Sequence, residues 1–343
     1  MLNPVLATHL GTRCTGYKVT TTSSPSISVD VGDDDLSSST RNGAGKSTLV
    51  QKVPYSRAPI VIATPGADVA LGGFATYDTT ATKSDSVAEF LGVAGSGDDG
   101  SGYVLSVGWD FEQDDHVSKS NLQDVVNTNG YEPIVLCMRI AADASVTIGT
   151  KLASVAKASS VYTITLEHAF AREPLVFATP IASAAAKGVK VNSASATSVV
   201  IATSDVTGAA EDNAFDLVIL GWMHKDALWG RRSLVQTPRR KPYLIPFHIN
   251  GTGTAAVTIG SDDISLTDNG TGDYTLTWKT ASKFTQAPIV IPTGKITRTQ
   301  LHSAATATSA RVLCFNAGGA ATDDEFYGLA IGFDNADEFP LFG

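Results

Sequence analysis

Three stretches of this chain can be laid over one another: "KSTLVQKVPYSRAPIVIATPG" at 46–66, "VYTITLEHAFAREPLVFATPI" at 161–181 and "DYTLTWKTASKFTQAPIVIPTG" at 273–294. An internal repeat constrains a fold more than any short motif, because every period must then build the same supersecondary unit. The matched prolines, Pro59, Pro174 and Pro288, are 115 and 114 residues apart. Two more landmarks keep the same order. "GYVLSVGWD" (102–110), "AFDLVILGW" (214–222) and "EFYGLAIGFD" (325–334) align Trp109, Trp222 and Phe333, while "ISVDVGD" (27–33), "ASVTIGT" (144–150) and "AAVTIGS" (255–261) lie early in each unit. The chain therefore divides into units of roughly 90 residues at 14–110, 134–222 and 243–334. An N-terminal arm (1–13), connectors at 111–133 and 223–242, and a C-terminal arm (335–343) complete it.

Within a unit the apolar runs are short and bounded by turn residues. In the third, "AAVTIG", "DYTLTW", "APIVIP", "SARVLCF" and "YGLAIGF" are separated by stretches such as "DNGTG" and "NAGGAATDD", the pattern of strands and tight turns. "YTITL" and "YTLTW" alternate with period two, which turns one face inward and leaves threonine outward. The proline before each "IVI"-like run can begin a strand but cannot occupy a central ladder position. About seven strands per unit, joined by turns too short for crossover helices, predict an all-β protein of three tandem antiparallel β-sandwich or jelly-roll-like domains. Gly108, Gly221 and Gly332 are expected where a backbone approaches closely, beside packing aromatics Trp109, Trp222 and Phe333.

One segment imitates a nucleotide site. "RNGAGKST" at 41–48 ends like a phosphate-binding loop, whose glycine-rich amides converge on phosphate oxygens at the start of a helix. The consensus glycine falls at Thr40, and the residues after Lys46 align with strands in the other units. A hairpin turn at Asn42, Gly43 and Gly45 is expected instead.

Other chemistry finds little purchase. The histidines, His9, His116, His168, His224, His248 and His302, make no metal-binding spacing; His168 is placed at a strand end. Acidic pairs at Asp33–Asp35, Asp98–Asp99, Asp262–Asp263 and Asp323–Asp324 are read as solvated turns. "DDISLTDNGTGD" (262–273) is the stretch most like a calcium loop, without the EF-hand pattern. No G-x-S-x-G turn is present, and no enzyme activity, cofactor or metal is expected. The net charge of −9 disfavours nucleic acid and anionic membranes as partners, and no run is long enough to cross a bilayer. Cys14, Cys137 and Cys314 are far apart and are expected as free thiols. The start of the chain lacks the pattern of a secretory signal, so synthesis and assembly in a cytoplasm are expected.

Candidate interaction residues lie between and after the units. The 223–242 connector carries Arg231, Arg232, Arg239, Arg240 and Lys241 with Trp229 among them, opposite in character to the acidic 111–133 connector. The two would complement each other within a chain or between copies of it. Phe339, Leu341 and Phe342 in the C-terminal arm are apolar side chains in need of a cover.

With "NAGGAATDDEFYGLAIGFD" (316–334), strands rich in Thr, Ser, Ala and Gly, and three units in one chain, the sequence resembles structural proteins of tailed bacteriophage virions, in particular tandem β-domain capsid-decoration or tail-associated proteins. That resemblance implies a non-enzymatic role in the virion, decorating or stabilising a capsid through contacts with the major capsid protein, other virion subunits or further copies of itself, after assembly in host cytoplasm. Three related units in one chain could mimic a trimer near a local three-fold position. A receptor- or carbohydrate-binding surface protein is the first alternative, with Tyr77, Tyr103, Trp229, Trp278 and Tyr327 as its aromatic contacts. A tail-tube or baseplate subunit is the second.

Overall fold

The computed structural model describes residues 12–109, 131–224 and 243–332, apart from 23–26, 32–35, 53, 56–58, 68, 70–72, 78–84, 150–152, 183–184, 262, 280–283, 285–286 and 296. The first unit supplies β1 (Thr12–Thr21), β2 (Ile27–Val31), β3 (Leu36–Gly43), β4 (Lys46–Gln51), β5 (Ile60–Pro65), β6 (Phe74–Tyr77), β7 (Asp85–Leu91) and β8 (Ser101–Trp109). The second supplies β9 (Tyr131–Ile140), β10 (Val146–Gly149), β11 (Ala153–Ala158), β12 (Val161–Leu166), β13 (Leu175–Ile181), β14 (Lys187–Ala194), β15 (Ser198–Asp205) and β16 (Ala214–His224). The third supplies β17 (Tyr243–Asn250), β18 (Ala256–Ile259), β19 (Ile264–Gly270), β20 (Asp273–Trp278), β21 (Ile289–Gly294), β22 (Arg298–Leu301), β23 (Ser309–Phe315) and β24 (Glu325–Gly332). No helix occurs among the described residues.

The protein is all-β, with antiparallel sheets of the sandwich type. Counted from the first strand of each set of eight, one sheet runs 2-1-8-5 and the other 3-4-7-6, and this order occurs in all three sets. Each unit thus has eight strands where the sequence suggested about seven. Rings cross between the two sheets of a set: Tyr162 of β12 meets Phe215 of β16 edge-on at 5.0 Å, and Tyr274 of β20 meets Phe326 of β24 at 5.5 Å. One parallel bridge, Ile181 to Leu301, joins β13 to β22 and fuses a sheet of the second unit with one of the third into eight strands.

The residues after Lys46 form a strand, as the repeat requires. Burial alternates along β4, and β12 and β20 do the same with Thr165 and Thr277 exposed. Gly45 holds a left-handed φ of 66° in the β3–β4 turn, and its counterparts Ser160 and Gly272 have φ of 62° and 66°. The lookalike phosphate loop is a hairpin. β5, β13 and β21 each begin one residue after the matched proline. β9 and β16 extend into the segments read as connectors, so those boundaries shift outward.

Close approach explains two of the matched glycines. A Cβ on Gly221 would sit 2.5 Å from the ring of Phe170, and one on Gly332 would overlap Phe284. These rings and Tyr55 all lie four residues before the matched proline and are buried. The side chains of Trp109, Trp222 and Phe333, and that of Cys14, lie outside the described residues. Cys137 and Cys314 are buried free thiols, whose burial pushes their pKa values well up.

β5, β13 and β21 are the centre of the molecule. Each touches the other two, and each lies against the last and first strands of one neighbouring unit and the sixth strand of the other. β5 meets β24, β17 and β14; β13 meets β8, β1 and β22; β21 meets β16, β9 and β6. The pattern is cyclic. One core cluster accordingly contains residues from all three units, among them Ile62, Phe177 and Ile291. Every residue of β5 and β21 is buried, and each large aliphatic there contributes about 1.5–3 kcal/mol through removal from water.

Candidate interaction surfaces at the three junctions

The same ladder rung faces the neighbouring unit at each junction. The cross-strand pairs are Lys18 with Tyr103, Arg139 with Asp216, and His248 with Tyr327. Tyr103, Asp216 and Tyr327 each stand six residues before the closing aromatic, so the positions are equivalent while the chemistry is not.

Between the first and second units, Lys18 Nζ lies 2.8 Å from Glu173 Oε1, and the Tyr103 hydroxyl donates to the same oxygen at 2.9 Å. Between the second and third, Arg139 makes a two-point pair with Asp216 at 2.6 and 2.9 Å and also donates to the carbonyls of Pro288 and Ala305. Asp216 in turn accepts the Val290 N–H at 3.2 Å. Between the third and first, Tyr77 stacks on Tyr327 with ring centres 3.9 Å apart, and its hydroxyl is 3.3 Å from His248 Nε2. One repeated position thus carries three different chemistries at the three junctions.

Threonines close the edges of the central strands. Thr64, Thr179 and Thr293 occupy the same position, all buried. The Thr293 hydroxyl accepts the N–H of Ala63, and the Thr64 hydroxyl accepts that of Ala178, both at 3.2 Å. In the third unit the corresponding residue is Pro292, which has no N–H to donate. An edge strand leaves half its backbone groups unpaired, and side chains from the next unit meet that need.

The turns between the seventh and eighth strands gather at one end. They share one conformation, with Gly95, Gly208 and Gly319 at φ of 78°, 87° and 84° and each glycine N–H bonded three residues back, to Gly92, Asp205 and Asn316. A Cβ on Gly95 would lie 2.7 Å from that of Ala317, and one on Gly319 would lie 3.1 Å from Val206. The first turn thus touches the third and the third touches the second. Ser96, Ala209 and Ala320 are exposed at corresponding places on this apex.

Three acids at one repeated position hold the hairpins described above. Asp99 accepts the Gly45 N–H and a two-point bond from Arg41, Asp212 accepts from Ser160 and Lys157, and Asp323 accepts from Gly272 N and the Tyr274 hydroxyl. Asp99 and Asp323 are therefore structural clasps, correcting their reading as solvated turns. The Arg41 and Gly45 bonds hold the Asp99 carboxyl below its usual value. We expect Asp99→Ala to cost about 1 kcal/mol, read from the urea midpoint, and to raise hydrogen exchange at Gly45 ahead of the rest of the chain.

The calcium-like stretch is similarly spent on itself: Asp268 caps Gly270 N, and Asp273 pairs with Arg311. Among the described residues no three His, Cys, Asp or Glu side chains are grouped to hold a metal. The first unit also carries a buried polar network that sequence reasoning missed. Gln51 Nε2 donates to Ser86, Ser86 and Ser106 share a 2.6 Å bond, and Thr15 shares one of 2.6 Å with Tyr55. The matching second-unit residues are Leu166, Val199, Ile219, Leu136 and Phe170, all without a hydroxyl or amide in the side chain.

Of the aromatic candidates, Tyr77, Tyr103, Trp278 and Tyr327 are all buried, which removes them as exposed sugar-stacking platforms. Trp278 instead packs on Phe284. Arg231, Arg232, Arg239, Arg240, Lys241, Trp229, Phe339, Leu341 and Phe342 lie outside the described residues, as do the 111–130 part of the acidic connector, His9 and His116. His168 follows β12, as expected of a strand-end residue. A small cleft of about 220 Å³ opens where the first two units meet, lined by Lys18, Ser101, Tyr103, Asn192 and Ser193. No protein-family model, curated protein or solved structure matches this chain.

Proposed function

We propose that this chain is a non-enzymatic virion structural protein that decorates or stabilises a capsid through protein–protein contacts, with three tandem sandwich domains standing in for three subunits. The observation that carries the reading is the cyclic arrangement of the three units about β5, β13 and β21. Closed rings of identical contacts are how homo-oligomers build a symmetric surface, and here one chain presents that surface with its three parts permanently at high local concentration. The three-turn apex gives such a body an end able to meet three equivalent partner elements at once. The burial of Tyr77, Tyr103, Trp278 and Tyr327 weighs against the carbohydrate-binding alternative.

Electron microscopy of intact particles tests this. The expected result is density for one chain at a capsid position with approximate three-fold surroundings, and particles lacking the protein should break at lower temperature. Density at the tail, or at a capsid site with no three-fold surroundings, would overturn the reading.

A further inference from the structure

The chain runs from the first unit to the second and from the second to the third, but no peptide link joins the third back to the first. The ring has one junction held by non-covalent contacts alone. It is also the junction built around a histidine. We propose that this junction is an acid-sensitive seam, in which protonation of His248 releases the third unit from the first while the other two junctions stay closed.

The neutral ring is held at both nitrogens: Nδ1 lies 2.6 Å from Thr258 Oγ1, which is also 3.2 Å from the His248 carbonyl, and Nε2 lies 3.3 Å from the Tyr77 hydroxyl. Adding a second ring proton makes Nε2 a donor, to which the Tyr77 oxygen can only respond as acceptor, and places a charge inside the buried contact with Tyr77 and Tyr327. The titratable and charged groups facing the ring are Tyr77 from β6, Tyr327 and Glu325 from β24, and Lys295 just beyond β21. Glu325 Oε2 is 3.9 Å from Nε2, but it is already paired with Lys295 at 3.3 Å. Burial is the largest influence and Lys295 adds to it, with Glu325 opposing, so the His248 pKa falls to about 4.

The sign follows directly. The open seam exposes a histidine of ordinary pKa, about 6.5, and binds a proton that the closed seam refuses. Stability of the seam is thus complete above that value and is lost as pH falls from 6.5 towards 4. The junction between the second and third units does not share this behaviour. Its rung is Arg139 with Asp216 and carries no histidine.

Two amides provide a matched readout. Ala63 N–H is bonded across the seam to Thr293, and Ala178 N–H is bonded across a linked junction to Thr64. Hydrogen exchange of the full chain, corrected for intrinsic rates, should show Ala63 protection falling roughly 30-fold between pH 7.5 and 5.0 while Ala178 changes little. His248→Gln, which stays neutral, should abolish the pH dependence at Ala63. Equal change at both amides, no change at either, or an unaltered pH dependence in a folded His248→Gln protein would overturn the proposal. Should His248→Gln not fold, the wild-type comparison of the two amides decides it.

Discussion

Replacing Asp216 by alanine should destabilise the protein by about 3–5 kcal/mol, because it strands a buried cation. Arg139 is 5% exposed and Asp216 is fully buried. Without the carboxylate, the guanidinium keeps only the carbonyls of Pro288 and Ala305 as partners, and the Val290 N–H loses its acceptor. A buried donor left without a partner costs about 1–3 kcal/mol by itself. Replacing both charges, as Arg139→Met with Asp216→Leu, should recover most of the loss, since a buried ion pair is worth little more than well-packed apolar side chains. A urea titration of the two single variants and the double one measures this. The loss should be accompanied by faster exchange in β21, which follows Pro288 and contains Val290, before the β9–β16 ladder itself opens. A single Asp216→Ala change costing under about 1 kcal/mol would mean that the guanidinium finds water on its own.

The strands easiest to read in the sequence were those with an apolar face and clear edges, such as β20, β21, β23 and β24. Three strands of the third unit were not marked out, each for a local reason. β22 has four residues, two of them the charged or polar Arg298 and Gln300, buried for contacts with other units rather than with their own. β19 ends in "TDNG", which reads as turn chemistry because it does form a turn, with Gly270 at φ of 120°. β17 contains Pro246, a residue that argues against a central strand; the proline is accommodated because the β17–β18 ladder covers only His248–Asn250. The ring was beyond the sequence for a different reason. Counting six residues back from each closing aromatic finds Tyr103, Asp216 and Tyr327, but nothing in the spacing tells that these positions face another unit. A strand pattern reports which face is buried, not what buries it. The basic connector and the C-terminal arm stood out by composition and remain expectations of the sequence.

At a neighbouring rung the three units solve one packing problem in three ways, and this sets up the second large effect. The opposed residues are Tyr17 with Val104, Met138 with Leu217, and Phe247 with Gly328. Where one member is large and aromatic the other is small, and in the third unit a Cβ on residue 328 would overlap the Phe247 ring. Phe247 is fully buried and also meets Phe326 edge-on at 6.4 Å. Phe247→Ala should therefore cost about 3–5 kcal/mol through lost burial and the cavity left behind. Gly328→Ala alone should cost about 1–3 kcal/mol, because the added methyl pushes the ring from its place. The two changes should not add: with the ring gone, the alanine at 328 fills part of the vacated space, and the coupling should exceed about 1 kcal/mol in its favour. Carrying over the second unit's solution, Phe247→Met with Gly328→Leu, should cost less than Gly328→Leu alone. Additive losses across that cycle would show that ring and glycine do not share a space, against the register that places them opposite each other.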